Sequence, residues 1–392
     1  MSAIHDPDLP LASELTEPEA ARHLLQAAVA GQPIGPVTIA ETVYRPGRRC
    51  LVRYGTTVGG VEAQFVAVTG GSLPEGAVRV GDGGADEVAV WRFPHDPALP
   101  GLGPLLEQGG AAALLEELGV PAEGLELSVA SYRPGRRAVV EARTPTHRLF
   151  CKVVRPKRAA ALHHLHRILA ERVPVPRTPG WSPELGVVVL EAVPGSPVAA
   201  LLAAGVATSL PHADDLVAML DGIATTRLDG RRRPPPTERV RELGGAIAAV
   251  LPGVGGAVAE IAAACDALPP EPLITAHRDF HASQLLVHDG MVRLVDVDTV
   301  GPGARADDLA MMIAQLVCLV RPASPHAEAI TAYADALLDG FVEHTDPGHL
   351  AVRIGAAVVG FATGPFRTSE PAWEAETARR MALALEWARR GV

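Results

Sequence analysis

Between residues 277 and 298 the chain sets acids, an amide and histidines at intervals that suit phosphoryl transfer. The run is His277-Arg278-Asp279-Phe280-His281-Ala282-Ser283-Gln284, followed by Leu294-Val295-Asp296-Val297-Asp298. Gln284 stands five residues after Asp279, and Asp296 seventeen after it. Moving a phosphoryl group requires a carboxylate that orients the attacking hydroxyl and takes its proton. It also requires oxygen ligands that hold Mg²⁺ against nucleotide phosphates. Asp279 fits the first role. Asp296 fits the second, with the Gln284 amide as second ligand and Asp298 as a weaker or outer one. His277 is expected to shape the loop, and His281 to contact phosphate or substrate or to orient Asp279. A zinc site from His277, His281 and His288 competes, but His288 falls beside a turn, away from the other two.

For these groups to meet, the chain between them must fold back. Leu285-Leu286-Val287-His288 reads as a strand, Asp289-Gly290 as a tight turn and residues 292–297 as the returning strand. That hairpin brings Gln284 and Asp296 together. A second element is marked by scarcity, because the chain has 33 Arg but only two Lys, Lys152 and Lys157. Lys152 sits inside the strand-like run Leu149-Phe150-Cys151-Lys152-Val153-Val154. Burying a lone ammonium is costly, so such a lysine needs an anionic partner. Nucleotide phosphates would supply one. The competing reading is an edge-strand lysine facing water.

In order along the chain stand Lys152, the turn Val173-Pro174-Val175-Pro176, the run Val189-Leu190-Glu191-Ala192-Val193-Pro194-Gly195, the 277–298 stretch and Asp307-Asp308-Leu309-Ala310. This ordered set resembles the aminoglycoside phosphotransferase and choline-kinase-like family, and the resemblance covers roughly residues 125–390. Within that family, the Gln at position 284 is similar to actinobacterial maltokinase and glucosamine-kinase-type sugar kinases. The resemblance implies an α+β, two-lobed protein-kinase-like fold. It would have a β-rich N-lobe, a mostly helical C-lobe and an extra N-terminal cap subdomain. It further implies ATP and Mg²⁺ as cofactors, adenine held by the backbone of Glu191, Ala192 and Val193, and Asp308 as the helix acid anchoring the catalytic loop.

Two departures from the family pattern matter. Where kinases carry a Gly-rich loop, this chain has Arg133-Pro134-Gly135-Arg136-Arg137. Its backbone N–H groups and the Arg136 and Arg137 guanidiniums are candidate phosphate contacts; a plain turn with solvated arginines is the alternative. The helix expected at 157–171 lacks the usual glutamate partner for the strand lysine, since its first Glu is Glu171, near the C-terminal end. His163 or His164 could face the site instead, or simply face solvent.

The hexapeptide Tyr44-Arg45-Pro46-Gly47-Arg48-Arg49 recurs as Tyr132-Arg133-Pro134-Gly135-Arg136-Arg137. Each copy joins strand-like segments, which points to a duplicated three-strand unit. The first copy has no lysine on its third strand. Residues 1–122 therefore read as a degenerate cap, 123–194 as the nucleotide-binding lobe and hinge, and 195–392 as the helical catalytic and acceptor-binding lobe.

Composition narrows the classes. Net charge is −10 and the sequence pI about 5.8, which argues against a nucleic-acid partner. The four Cys, at 50, 151, 265 and 318, form no CxxC, as expected in a reducing compartment. The N-terminus shows no basic region followed by an apolar core, and the Ala-rich runs are broken by Gly, Pro or charge. The expectation is a cytoplasmic protein with no membrane partner, monomeric or dimeric. Its acceptor is expected to be a small hydroxyl compound: a sugar or amino sugar first, an aminoglycoside or other antibiotic second. A nucleotide-binding pseudokinase is the reading from a different class. Only eleven residues separate Asp296 from Asp308, too few for the activation segment of a protein kinase. Trp373, Glu374 and Glu376 could stack on a sugar ring and bind hydroxyl or ammonium groups; a packing Trp with solvated acids is the competing reading.

Overall fold

The computed structural model describes residues 4–29, 31–82, 86–107, 109–207, 209–226, 228, 230–321 and 323–391. The chain divides into two compact units. The first contains Met1–His164, Thr178–Ala192 and Pro365–Trp373; the second contains Leu165–Arg177, Val193–Gly364 and Glu374–Val392.

The first unit is built on two antiparallel sheets of five strands each. One comprises β1 (Thr38–Arg45), β2 (Arg49–Val58), β3 (Val61–Thr69), β4 (Val78–Gly81) and β5 (Glu87–Arg92). The other comprises β6 (Glu126–Arg133), β7 (Arg137–Arg143), β8 (Arg148–Val154), β9 (Gly180–Ser182) and β10 (Val187–Glu191). Their strand orders are β1-β2-β3-β5-β4 and β6-β7-β8-β10-β9. The same order twice establishes the duplication and enlarges it from the expected three strands to five.

Register matches the two copies residue by residue. Leu51, two residues after Arg49, pairs with Val68, and Val139, two after Arg137, pairs with Lys152. Val68 is therefore the counterpart of Lys152. The face it occupies also differs. Leu51, Val66, Val68, Ala89 and Trp91 enter one apolar core with Ala138, Val140, Cys151, Val153, Val187 and Val189. Because side chains alternate across a strand, Lys152 points away from that core while Val68 points into it. The lysine-bearing face of the second sheet thus has a counterpart in the first sheet that is filled by packing. An ammonium at position 68 would be desolvated without a partner, so only an apolar side chain fits there.

The repeated hexapeptide has a structural cause. Tyr44 Oη and the Gly47 N–H both donate to Asp6 Oδ2, each at 2.8 Å. Tyr132 Oη and the Gly135 N–H donate to Asp96 Oδ2 at 2.9 and 2.7 Å. Gly47 and Gly135 hold φ of +62° and +66°, a region that glycine enters without a Cβ penalty. The two acids lie in a second repeat, His5-Asp6-Pro7-Asp8-Leu9-Pro10 and His95-Asp96-Pro97-Ala98-Leu99-Pro100. Each duplicated sheet is thus preceded by the acid that clamps its first hairpin.

The second unit is mainly helical. Its small sheets are β11 (Ser196–Pro197) with β13 (Leu285–His288) and β14 (Met291–Leu294), and β12 (Ile274–Ala276) with β15 (Gly301–Gly303). Helices Arg305–Leu319, Ala327–Phe341 and Pro347–Ala362 contribute Leu309, Ile313, Leu316, Leu337, Ile354, Val358 and Val359 to one core. Residues Pro347–Arg367 are long and apolar enough to cross a membrane, which corrects the expectation that every apolar run is interrupted first. In this fold the stretch is mostly buried, and the helix Pro347–Ala362 serves as a core element.

Candidate active site

The hairpin read from sequence is present. Leu285 pairs with Leu294, and His288 with Met291. Asp289 and Gly290 both have positive φ, +50° and +73°, as a two-residue turn of this hand requires. The returning strand ends at Leu294, short of the expected 297. Asp296 takes a left-handed conformation at φ +58°, and Val297–Thr299 forms a 3₁₀ turn. Breaking the strand at that point turns the Asp296 carboxylate toward Gln284.

The polar groups then line up. The Gln284 backbone bridges the two segments, its N–H donating to His281 O at 2.8 Å and its carbonyl accepting from the Val295 N–H at 2.8 Å. Gln284 Nε2 lies 3.4 Å from Asp296 Oδ2 and 3.4 Å from His281 Nε2. His281 Nε2 lies 3.8 Å from Asp279 Oδ1. Asp279 is 38% exposed and His281 13%, so the acid meets solvent while the imidazole beside it is mostly covered. The His281 ring stands edge-on to Phe361 at 6.2 Å.

The loop is held from beneath. Asp308 accepts the His277 N–H at 2.7 Å and the Arg278 N–H at 2.6 Å. Burial pushes the Asp308 carboxyl up to about 7, against the pull of those two N–H groups. This is the anchoring arrangement expected of Asp308. His277 is fully buried, edge-on to Phe280 at 5.8 Å. Burial drives its imidazole down to about 4, so it is neutral near pH 7 and suited to shaping the loop.

The donor chemistry fits Mg²⁺. Gln284 and Asp296 offer an amide and a carboxylate side by side, and rotating the amide presents Oε1 where Nε2 now lies. Among the described residues no group of three or more His, Cys, Asp or Glu could hold a metal, so the zinc arrangement does not form. Asp298 sits in the 3₁₀ turn, half-buried, close enough with Asp296 to favour a charged His277.

The remaining expected residues lie in the first unit or on the last helix, except Val193, which begins a segment of the second. Lys152 is only 4% exposed, between Val139 of β7 and Val188 of β10. The edge-strand alternative is therefore excluded. Glu191 ends β10 opposite Leu149, and the Ala192 N–H donates to Arg148 O at 3.0 Å. The adjoining strand β9 pairs only as far as Val189, so beyond that point one backbone edge of β10 has no strand partner among the described residues. Val193 follows, half-buried, in the second unit.

Four expectations need correction. The turn 133–137 does not offer its amides freely: Gly135 N–H goes to Asp96, and Arg136 N–H donates to Arg133 O. Any phosphate contact there falls to the exposed Arg136 or half-buried Arg137 side chains. Trp373 is 5% exposed and packs against Phe366 at 4.9 Å, so it is a core residue and no stacking platform. Glu376 is bound by Arg321 at 2.9 Å, Arg379 at 2.9 Å and Arg380 at 2.6 Å. Burial would raise its carboxyl, but the bonds from Arg379 and Arg380 prevail and hold it at about 2. Such a saturated acid has no lone pair for an acceptor, and of that trio only Glu374 remains exposed. Finally, the helix Pro156–Leu169 ends before Glu171, and His163 is not solvent-facing. Its Nδ1 lies 3.0 Å from Thr178 Oγ1 and its ring stacks on Trp181; His164 alone of the pair is exposed.

The Phosphotransferase enzyme family model matches residues 132–341, more than half of the chain. The chain belongs to that family: it is a small-molecule phosphotransferase with the mixed α and β, two-lobed kinase-like fold. No curated protein matches it. A thermostable mutant of an aminoglycoside phosphotransferase, solved in ternary complex with AMP-PNP and hygromycin B, has a TM-score of 0.51 at 12% identity. The match covers 71% of this chain and 98% of that one. A second mutant of the same enzyme, again with AMP-PNP and hygromycin B, gives 0.50 at 12% identity over 71% and 99%. Choline kinase from Cryptosporidium parvum gives 0.47 at 10% identity over 71% and 94%.

Proposed function

We propose that this protein is an ATP- and Mg²⁺-dependent kinase that phosphorylates a hydroxyl of a sugar or amino sugar. The observation that carries the reading is the line Asp279, His281, Gln284, Asp296 formed where the loop before the hairpin meets the turn after it, with the loop seated on Asp308. Asp279 receives the acceptor proton, and His281 orients it. Gln284 and Asp296 hold the metal, with Asp298 behind them. Lys152 is assigned to the nucleotide phosphates, and the backbone of Glu191, Ala192 and Val193 to adenine. AMP-PNP in the aminoglycoside phosphotransferase complex supports an adenine nucleotide. Mg²⁺ supplies charge neutralisation at the phosphates; orientation of the hydroxyl and removal of its proton fall to Asp279. Residues 1–122 act as a non-catalytic cap, because Val68 replaces the lysine and its face is already packed.

The sugar assignment rests on the Gln at position 284 and the N-terminal addition. A panel of sugars, amino sugars and aminoglycosides, followed by ³¹P NMR of the products, tests it. A phosphorylated sugar or amino sugar is expected; turnover restricted to aminoglycosides would replace the acceptor class while leaving the kinase assignment in place.

A further inference from the structure

The base Asp279 and the metal ligand Asp296 lie on different segments, and the reaction requires them in fixed register. Their link through Gln284 is long, 3.4 Å, and leaves room for drift. A shorter link runs behind them. Thr299 Oγ1 donates to His277 O at 2.7 Å, and Arg278 Nε donates to Thr299 O at 2.5 Å. Thr299 thus closes the 3₁₀ turn that begins after Asp296 and grips both residues that precede Asp279.

Arg278 is shaped for this. Its φ is +65°, a backbone state that L residues with side chains avoid, and its own N–H and that of His277 are both held by Asp308. From there its guanidinium reaches three carbonyls: Thr299 O, then Pro302 O and Arg231 O at 3.3 Å each. A planar fork can serve several acceptors at once, which an ammonium cannot do in the same geometry. The strand it crosses is cleared for it. A Cβ at Gly303 would stand 2.9 Å from Arg278 Cγ and 3.1 Å from Ala276 Cβ. The missing Cβ atoms at Gly301 and Gly303 therefore leave the room that the Arg278 side chain fills.

We propose that Arg278 and Thr299 are positioning residues that fix Asp279 relative to Asp296; this deepens the phosphotransferase reading above and rests on it. Both side chains spend their hydrogen bonds on backbone carbonyls. Their effect is on the metal-dependent step and should leave acceptor affinity alone.

Full-length wild type, Thr299→Val, Thr299→Ser and Arg278→Lys test this. Two readouts are taken as Mg²⁺ is varied: turnover, and binding of a fluorescent ATP analogue. Thr299→Val keeps the shape and removes the hydroxyl. It should lower kcat about tenfold and raise the Mg²⁺ concentration for half-maximal analogue binding, with the acceptor KM moving less than about twofold. Thr299→Ser should restore both values. Arg278→Lys should behave as Thr299→Val. Normal kcat and normal Mg²⁺ dependence in Thr299→Val would overturn the proposal, and so would a Thr299→Ser as impaired as the Val variant. If the wild type binds Mg·ATP yet transfers nothing, the kinase reading fails. The tether is then judged on analogue binding alone, where an identical Mg²⁺ dependence in Thr299→Val and Thr299→Ser overturns it.

Discussion

Asp6 and Asp96 make the same clamp twice in one chain, so each is a control for the other. Asp96 is 2% exposed and accepts Tyr132 Oη, the Gly135 N–H and the Ala98 N–H at 2.9, 2.7 and 2.8 Å. Tyr132 Oη in turn accepts from Trp91 Nε1 at 3.0 Å, tying the two sheets together. Asp96→Ala strands a buried hydroxyl and a buried N–H, at about 1–3 kcal/mol each, and the sum is roughly 2–6 kcal/mol. Asp6 is half-buried, and water can replace it at the exposed Gly47, so Asp6→Ala should cost about 1–2 kcal/mol. Calorimetric unfolding compares the two variants. Hydrogen exchange then shows where each acts: peptides covering 133–137 should lose protection in Asp96→Ala, and those covering 45–49 in Asp6→Ala. Equal costs, or a milder effect at Asp96, would refute the assignment of the second clamp as the buried keystone between the sheets.

Three further outcomes follow from the same geometry. Val68→Lys places an ammonium in the core shared by the two sheets and should cost more than about 4 kcal/mol, read as a collapse in Tm; a stable variant would contradict the register match with Lys152. His277 is held at about 4 by burial, against about 6.5 when unfolded, so the folded state binds fewer protons between those values. The stability it confers is complete above pH 6.5 and is lost as pH falls toward 4, by about 3 kcal/mol. Asp308, raised to about 7, has the opposite slope between pH 4 and 7, so the quantity to measure is the difference in Tm between wild type and His277→Asn. That difference should shrink on acidification; a constant gap removes the role given to His277 burial. Glu376→Gln leaves three guanidiniums around a neutral amide and should destabilise by about 2 kcal/mol without changing acceptor preference. A changed preference would return Glu376 to the acceptor site.

The catalytic hairpin was legible because its parts are close in sequence: a strand, an Asp-Gly turn and a return fix where Gln284 and Asp296 meet. Asp308 was legible only through the family resemblance, since its bonds to the His277 and Arg278 N–H groups span 31 and 30 residues. Trp373 was misread because its partner Phe366 lies outside the helix it starts. Glu376 was misread although Arg379 and Arg380 stand three and four residues after it on the same helix; of its three arginines only Arg321 is remote in sequence. The five-strand duplication was half visible in the hexapeptide. Extending the comparison upstream exposes the His-Asp-Pro-x-Leu-Pro repeat, 38 and 36 residues before the tyrosines as counted from each aspartate. Thr299 carried no signal at all, since its contact with His277 spans 22 residues and depends on a left-handed Asp296.

The most direct test of the central claim measures ADP release and Mg·ATP binding together, for wild type, Asp279→Ala and Asp296→Ala, with the acceptor that the panel identifies. The wild type should release ADP only when acceptor is present. Asp279→Ala should lose turnover by several orders of magnitude while binding Mg·ATP nearly as well as wild type, and Asp296→Ala should lose both. Comparable turnover in Asp279→Ala, or Mg·ATP binding undiminished in Asp296→Ala, would contradict the roles assigned to these two carboxylates.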